Sequence, residues 1–329
     1  MKRGIAACIS LALLAALFFR VDRHQLWECF RSTRLDWFVA AMLLFIPQIA
    51  AISWRWKRLI APFASISMGE SVSLVLASQS MNLILPAKMG DLTKAYFLAR
   101  GGSLDLPRAL NLVIFEKLLD VGTLAAFMVC GVAVSLGSPA LPPAVKSGMI
   151  AAALLGAVAL AAVAVIYVFP MRLFEKLVDR LRARGAERLV QRAGVLIVTG
   201  HEVMSMLQSK GSRRGRIGMW SVVIWILHLT QIYCFFRSVH VTSSVGQFLA
   251  MTPLAIFIGL IPISIAGFGT RDHAFVVLFP QAGAAAMASA SMYVNLRYIL
   301  PALVGLPFVN RYLALKPKTA ERDSDSRPR

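Results

Sequence analysis

Glu116 and Asp120 stand four residues apart inside an apolar run long enough to cross a bilayer, with Lys117 between them. In a helix that spacing puts both carboxylates on one face and turns Lys117 about 100° away. A charged side chain at the bilayer centre costs at least about 2.5 kcal/mol and is normally met by a partner or a water-filled cavity. Two carboxylates on one face therefore ask for cations opposite, and Lys94, Arg271 and Arg297 are available. Arg297 falls near the middle of its expected helix, where snorkelling to an interface is hard. Two chemistries are open: the charges pair with one another and fix helix register, or they form a cationic pocket, backed by carboxylates, that receives a lipid phosphate. On the second reading Lys94, Arg271 and Arg297 bind phosphate, and Glu116, Asp120 and Asp272 serve proton or cation coupling or ion pairing.

Two stretches around these charges share a pattern. Leu85-Pro86 is followed by Gly90 and Lys94, and Ile261-Pro262 by Gly267, Gly269 and Arg271. Proline and glycine together break a helix, and backbone N–H groups at helix starts after Gly90 and Gly269 would add positive dipole ends. Two such units separated by three spans have opposite orientation, as in inverted-repeat transporters whose broken helices meet near the midplane; the alternative is a pair of packing kinks. His228 and Gln231 share a helix with no second histidine at metal spacing, so an interhelical hydrogen bond is expected there rather than a ligand site. Asp323-Ser324-Asp325 has the outline of a metal-nucleotide motif but lies in a polar tail. No GxSxG, HExxH, P-loop or GxGxxG occurs in a suitable context. Neither a catalytic residue, a metal nor a cofactor is expected.

The elements that must position these residues are membrane helices. Hydrophobic residues make up 58% of the 329 and charged ones 16%, with a mean hydropathy of +0.68, well outside the soluble range. The formal charge of +19 is spread over short loops between apolar runs, which suits orientation and anionic headgroups rather than nucleic acid. Cys8, Cys29, Cys130 and Cys234 are scattered without metal-ligand spacing and read as reduced small hydrophobes. Full spans are expected at Ile5 to Phe19, Trp37 to Trp54, Asn111 to Leu136, Ser147 to Pro170, Ile217 to Phe236 and roughly Gly283 to Val309, the last kinked near Pro301. Trp54-Arg55-Trp56-Lys57-Arg58 reads as an interfacial anchor.

Residues 171–216 carry eleven Lys/Arg against four Asp/Glu, a net +7, and are expected in the cytoplasm with amphipathic surface helices. Counting spans from that loop makes Ser71 to Phe97 enter and leave on one side, and the segment around Pro262 and Gly269 dip in from the other. The fold class is thus an all-α polytopic bundle of about six full spans plus two broken or re-entrant hairpins in an inverted repeat. If Ser71 to Ala87 crossed fully, the +7 loop would face outward unless Leu92 to Ala99 crossed too. Residues 1–315 form the transmembrane domain and 316–329 a disordered cytoplasmic tail, with both termini in the cytoplasm of a bacterial inner-membrane protein.

Three motifs, Asn82 to Tyr96 (NLILPAKMGDLTKAY), Phe115 to Asp120 (FEKLLD), and Ile261-Pro262 through Gly267-Phe268-Gly269-Thr270-Arg271-Asp272, resemble in order and spacing the membrane region of lysylphosphatidylglycerol synthases and its stand-alone, flippase-like relatives. The similarity runs from the first span to about Tyr312. The family more often has arginine where Lys94 stands and glutamate where Asp272 stands, and lysine lacks bidentate phosphate geometry. The resemblance implies a flippase or transporter of an anionic or isoprenoid lipid. Synthases of the family carry an aminoacyl-transferase domain after the membrane part, whereas a short tail follows here, so this chain is not expected to be a synthase by itself. Two further readings stay open: a membrane-embedded transferase using the same carboxylates as base, and an accessory subunit binding a lipid-modifying enzyme through residues 171–216. A homo-oligomer is also compatible with the sequence.

Overall fold

The computed structural model describes residues 8, 10–16, 19, 21–85, 89–135, 143–168, 199–200, 203, 211–261, 263–264 and 266–314. Among them every regular element is a helix: α1 (Arg23–Arg31), α2 (Leu35–Leu43), α3 (Phe45–Ile60), α4 (Met68–Ile84), α5 (Gly90–Arg100), α6 (Leu106–Ser135), α7 (Pro143–Val168), α8 (Gly211–Ser238), α9 (Val245–Leu260), α10 (Thr270–Leu278), a 3-10 turn (Pro280–Ala282) and α11 (Ala284–Ala314). Five stretches, Leu35–Ile60, Leu106–Ser135, Val145–Ala162, Gly215–Ser238 and Ala284–Ala314, are long and apolar enough to cross a membrane. They coincide with five of the six expected spans; the sixth, Ile5 to Phe19, is described only in part. Pro86, Pro262, most of 171–216 and the whole of 316–329 lie outside the described residues.

The two expected hairpins are present as helix pairs, α4 with α5 and α9 with α10, whose arms pack on each other. Each first arm starts at a serine cap: Ser67 Oγ accepts from the Glu70 N–H at 3.0 Å and Ser244 Oγ from the Gln247 N–H at 3.2 Å. With 17 and 16 residues, these arms are about 25 Å long at 1.5 Å per residue, short of the roughly 30 Å hydrocarbon core. The second arms, of 11 and 9 residues, are shorter still. Glycine sets both returns. A Cβ on Gly90 would run into the backbone of Ser78, Met81 and Asn82, while Gly267 (φ +81°) lies against the Gly259 backbone, in a left-handed conformation that glycine adopts without strain.

The most extensive helix contacts cross between halves of the chain: α4 lies on α11, and α9 on α6. At each crossing a glycine lets backbones touch, Gly305 against Leu76 and Ser80, and Gly131 against Leu249 and Ala250. Small residues serve this purpose in lipid, where apolar surface alone does not drive helices together. Ser80 Oγ adds a hydrogen bond of 2.6 Å to the Ala302 carbonyl. The first arm of each hairpin is therefore seated on the long helix that follows the other hairpin, a reciprocity in keeping with the expected repeat.

The span Leu35–Ile60 is interrupted at Leu44, between α2 and α3, three residues before Pro47, whose ring and missing N–H disturb the preceding turn. The Ala41 carbonyl there accepts a 2.8 Å hydrogen bond from Gln231 Nε2. Gln231 Oε1 in turn accepts from Gln48 Nε2 at 3.0 Å, and Gln48 Oε1 meets His228 Nδ1 at 3.0 Å. His228 and Gln231 thus serve the interhelical bonding the sequence suggested. One element was not anticipated: α1, in the loop after the first expected span, is capped by Asp22 Oδ1 at 2.8 Å from the His24 N–H.

Candidate functional site

Glu116 on α6 is 1% exposed and lies between two cations brought by different helices. Arg55 of α3 donates to Glu116 Oε1 at 2.9 Å and to Asp120 Oδ1 at 2.6 Å, and its Nη1 also reaches Ser221 Oγ of α8 at 2.8 Å. Lys94 of α5 donates to Glu116 Oε2, with its ammonium 4.4 Å from the Trp56 ring centre. Lys117 pairs with Asp91 at 2.5 Å and approaches Asp120 at 3.6 Å, while Asn82 Nδ2 donates to the other Asp91 oxygen at 3.3 Å. Three carboxylates and three cations from α3, α5 and α6 close one network.

Arg55 corrects the sequence reading of Trp54 to Arg58 as an interfacial anchor. The helical turn divides that cluster: Trp54 and Arg58 stay outward, stacked at 4.3 Å, whereas Arg55 and Trp56 are 2% and 0% exposed. The signal was in the phase, since Gln48 and Arg55 are seven apart and share a stripe with Ile52 and Leu59. Lys117, though turned away from Glu116, reaches Asp91 because the N-terminus of α5 lies beside that second face of α6.

The second hairpin carries a related constellation. Arg271 of α10, 1% exposed, donates to Asn295 Oδ1 on α11, as Lys94 does to Glu116; in both halves a cation on the hairpin's second arm reaches the following long helix. Asp272 accepts from the Gly269 N–H at 2.9 Å, Ser291 Oγ at 2.7 Å and Asn295 Nδ2 at 3.2 Å, and its carboxylate is 3.6 Å from Arg271. The positive end of α10 is thus met by the chain's own carboxylate. Asp91 stands likewise in the first turn of α5. Tyr298 is shared by two guanidinium groups, Arg271 at 4.7 Å and Arg297 at 5.0 Å from its ring centre. Nε and Nη1 of Arg271 and Nη1 of Arg297 are buried and have no hydrogen-bond partner among the described residues.

A chamber of about 130 Å³ opens between these groups. Lys94, Arg297, Glu116 and Asp120 line it, together with Arg55, Asp91, Lys117 and Tyr298. Arg271 and Asp272 do not; Arg271 stands behind the chamber, against Tyr298. Among the charged lining residues Arg55, Lys94 and Lys117 are balanced by Asp91, Glu116 and Asp120, and Arg297 is the positive charge in excess. Gly90, Gly267 and Gly269 shape the hairpin returns beside it rather than its wall. No group of three His, Cys, Asp or Glu suited to a metal occurs among the described residues.

Membrane-length apolar helices, two short hairpins and a charged chamber buried among them define a multi-pass membrane protein. The chain belongs to the family described as the lysylphosphatidylglycerol synthase TM region, which matches residues 5–305. It is also similar to a UPF0104 membrane protein of Methanothermobacter thermautotrophicus, 25% identical over 320 residues and covering 91% of each chain. The family resemblance read from the three motifs therefore holds over nearly the whole chain.

Proposed function

We propose that this is an integral membrane lipid-binding protein that carries the phosphate headgroup of an anionic or isoprenoid lipid between leaflets. The observation that carries this reading is the set of orphaned guanidinium nitrogens around Tyr298. A buried donor left unmade costs about 1–3 kcal/mol, more when charged, and such groups call for an explanation such as an ion. Arg55 Nε and Asn82 Oδ1 are orphaned too, but Arg55 is already held by two carboxylates, whereas Arg271 has one beside it, Asp272 at 3.6 Å, and Arg297 shares the Tyr298 ring with Arg271. An entering phosphate supplies the acceptor that Arg297, which lines the chamber, lacks, and Arg271 adds its charge from behind Tyr298. Lys94 reaches it only by giving up Glu116, which leaves Glu116 and Asp120 as the groups that take up a proton or cation. The +7 loop and both termini face the cytoplasm of a bacterial inner membrane.

Purified protein in liposomes should expose a fluorescent anionic lipid of the inner leaflet to an external quencher without forming a new lipid. Arg297→Gln should slow this about tenfold or more, the loss of one charge-assisted hydrogen bond. A modified lipid formed from a donor, with no change in accessibility, would establish the transferase instead.

A further inference from the structure

A second opening lies on two of the helices that wall the charged chamber. This groove of about 410 Å³ runs over Leu119, Gly122, Ala126, Phe127 and Cys130 of α6 and Val222 of α8. Its one hydroxyl, on Thr123, donates to the Leu119 carbonyl of its own helix at 2.7 Å, so the groove offers a ligand only apolar contact. Gly122 and Ala126, four apart, form the depression, and Phe127 walls it.

The two openings share their helices. On α6, Asp120 lines the chamber while Leu119 and Thr123 line the groove; on α8, Trp225 lines the chamber and Val222, one turn earlier on the same face, lines the groove. Arg55, bonded to both Asp120 and Ser221, ties the two helices together beside both openings. A small polar chamber with one positive charge in excess, beside a dry groove of about 410 Å³ on the same two helices, suits an amphiphile with a compact anionic head and a long tail.

We infer that the groove between α6 and α8 holds the hydrocarbon chain of the lipid whose phosphate enters the chamber. This rests on the lipid-binding reading above and adds that the substrate is held by chain as well as head. Burying each methylene against protein rather than other lipid gains little, since both surroundings are apolar. The groove therefore positions the lipid, and the selection between lipids comes from Arg297.

The test uses the full chain in phosphatidylcholine nanodiscs doped with phosphatidylglycerol bearing a diazirine near the end of one acyl chain. After irradiation, adducts should concentrate on the peptide spanning residues 118–130 and around Val222. Arg297→Gln should reduce them about tenfold, and a diazirine-phosphatidylcholine probe should give few in either protein. Ala126→Leu fills the groove from its floor and should lower adduct yield several-fold; Val222→Phe does the same from α8 if the first variant fails to fold. Equal labelling by both probes, untouched by Arg297→Gln, would make the groove ordinary lipid-facing surface and overturn the inference. Adducts that depend on Arg297 yet map elsewhere also overturn it, while leaving the headgroup reading intact.

Discussion

Glu116 is clamped by Lys94 and Arg55 from two other helices, and removing either cation leaves a buried carboxylate short of a counter-ion. Breaking such a pair from one side typically costs about 3–5 kcal/mol. Lys94→Gln should therefore lower the melting temperature of the detergent-solubilised protein, and Lys94→Gln with Glu116→Gln should recover most of the loss, since contacting residues couple. Recovery of lipid transport along with stability in that double variant would assign Lys94 to the fold rather than to the phosphate. Glu116 and Asp120 were legible in the sequence because two carboxylates at helical spacing in an apolar run leave few alternatives. Arg55 was not, because Trp54, Lys57 and Arg58 around it carry the composition of a membrane interface, and composition is blind to which side of a helix a residue takes. Asp91 and Lys117 lay inside the recognised motifs, but their pairing depends on where α5 lies relative to α6, a tertiary fact.

Glycines divide among the helices into those at crossings and those facing open space, and the difference predicts opposite outcomes. Gly305→Leu would drive a side chain into the Leu76 carbonyl and Ser80, separating α4 from α11, and should abolish recovery of folded protein in size-exclusion chromatography. A Cβ on Gly218 of α8 meets nothing within 4 Å, so Gly218→Ala should be neutral or stabilise by up to about 1 kcal/mol, the helix-propensity difference, read as a small rise in melting temperature. The hairpins were legible as elements because proline, glycine and charge interrupt apolar runs too short to be full spans. The first hairpin begins a few residues earlier than expected, since the Ser67 cap extends α4 ahead of Ser71. Helix α1 went unread because none of its side chains is fully buried and its apolar stripe, Leu26, Cys29 and Phe30, spans little more than one turn.

At the scale of the whole molecule, charge asymmetry makes the strongest statement about orientation. In a cysteine-free background, cysteines at Ser212 and Ser326 should resist a membrane-impermeant thiol reagent in intact cells, while one at exposed Thr242, in the loop between α8 and α9, should react. Labelling of Ser212→Cys from outside would reverse the assignment. The number of long apolar helices could be read from hydropathy alone, but their partners could not, because lipid-facing and helix-facing surfaces are both apolar. The reciprocal seating of the hairpins also imposes an order in time. Ser80 and the Ala302 carbonyl it bonds are 222 residues apart, and at about 5–20 residues per second the ribosome takes on the order of ten seconds or more to make the second after the first. Throughout that interval α4 is in the membrane without the helix it will rest on, so a nascent chain that stalls before α11 leaves its earliest hairpin as an unmet polar surface for the cell's proteases to recognise.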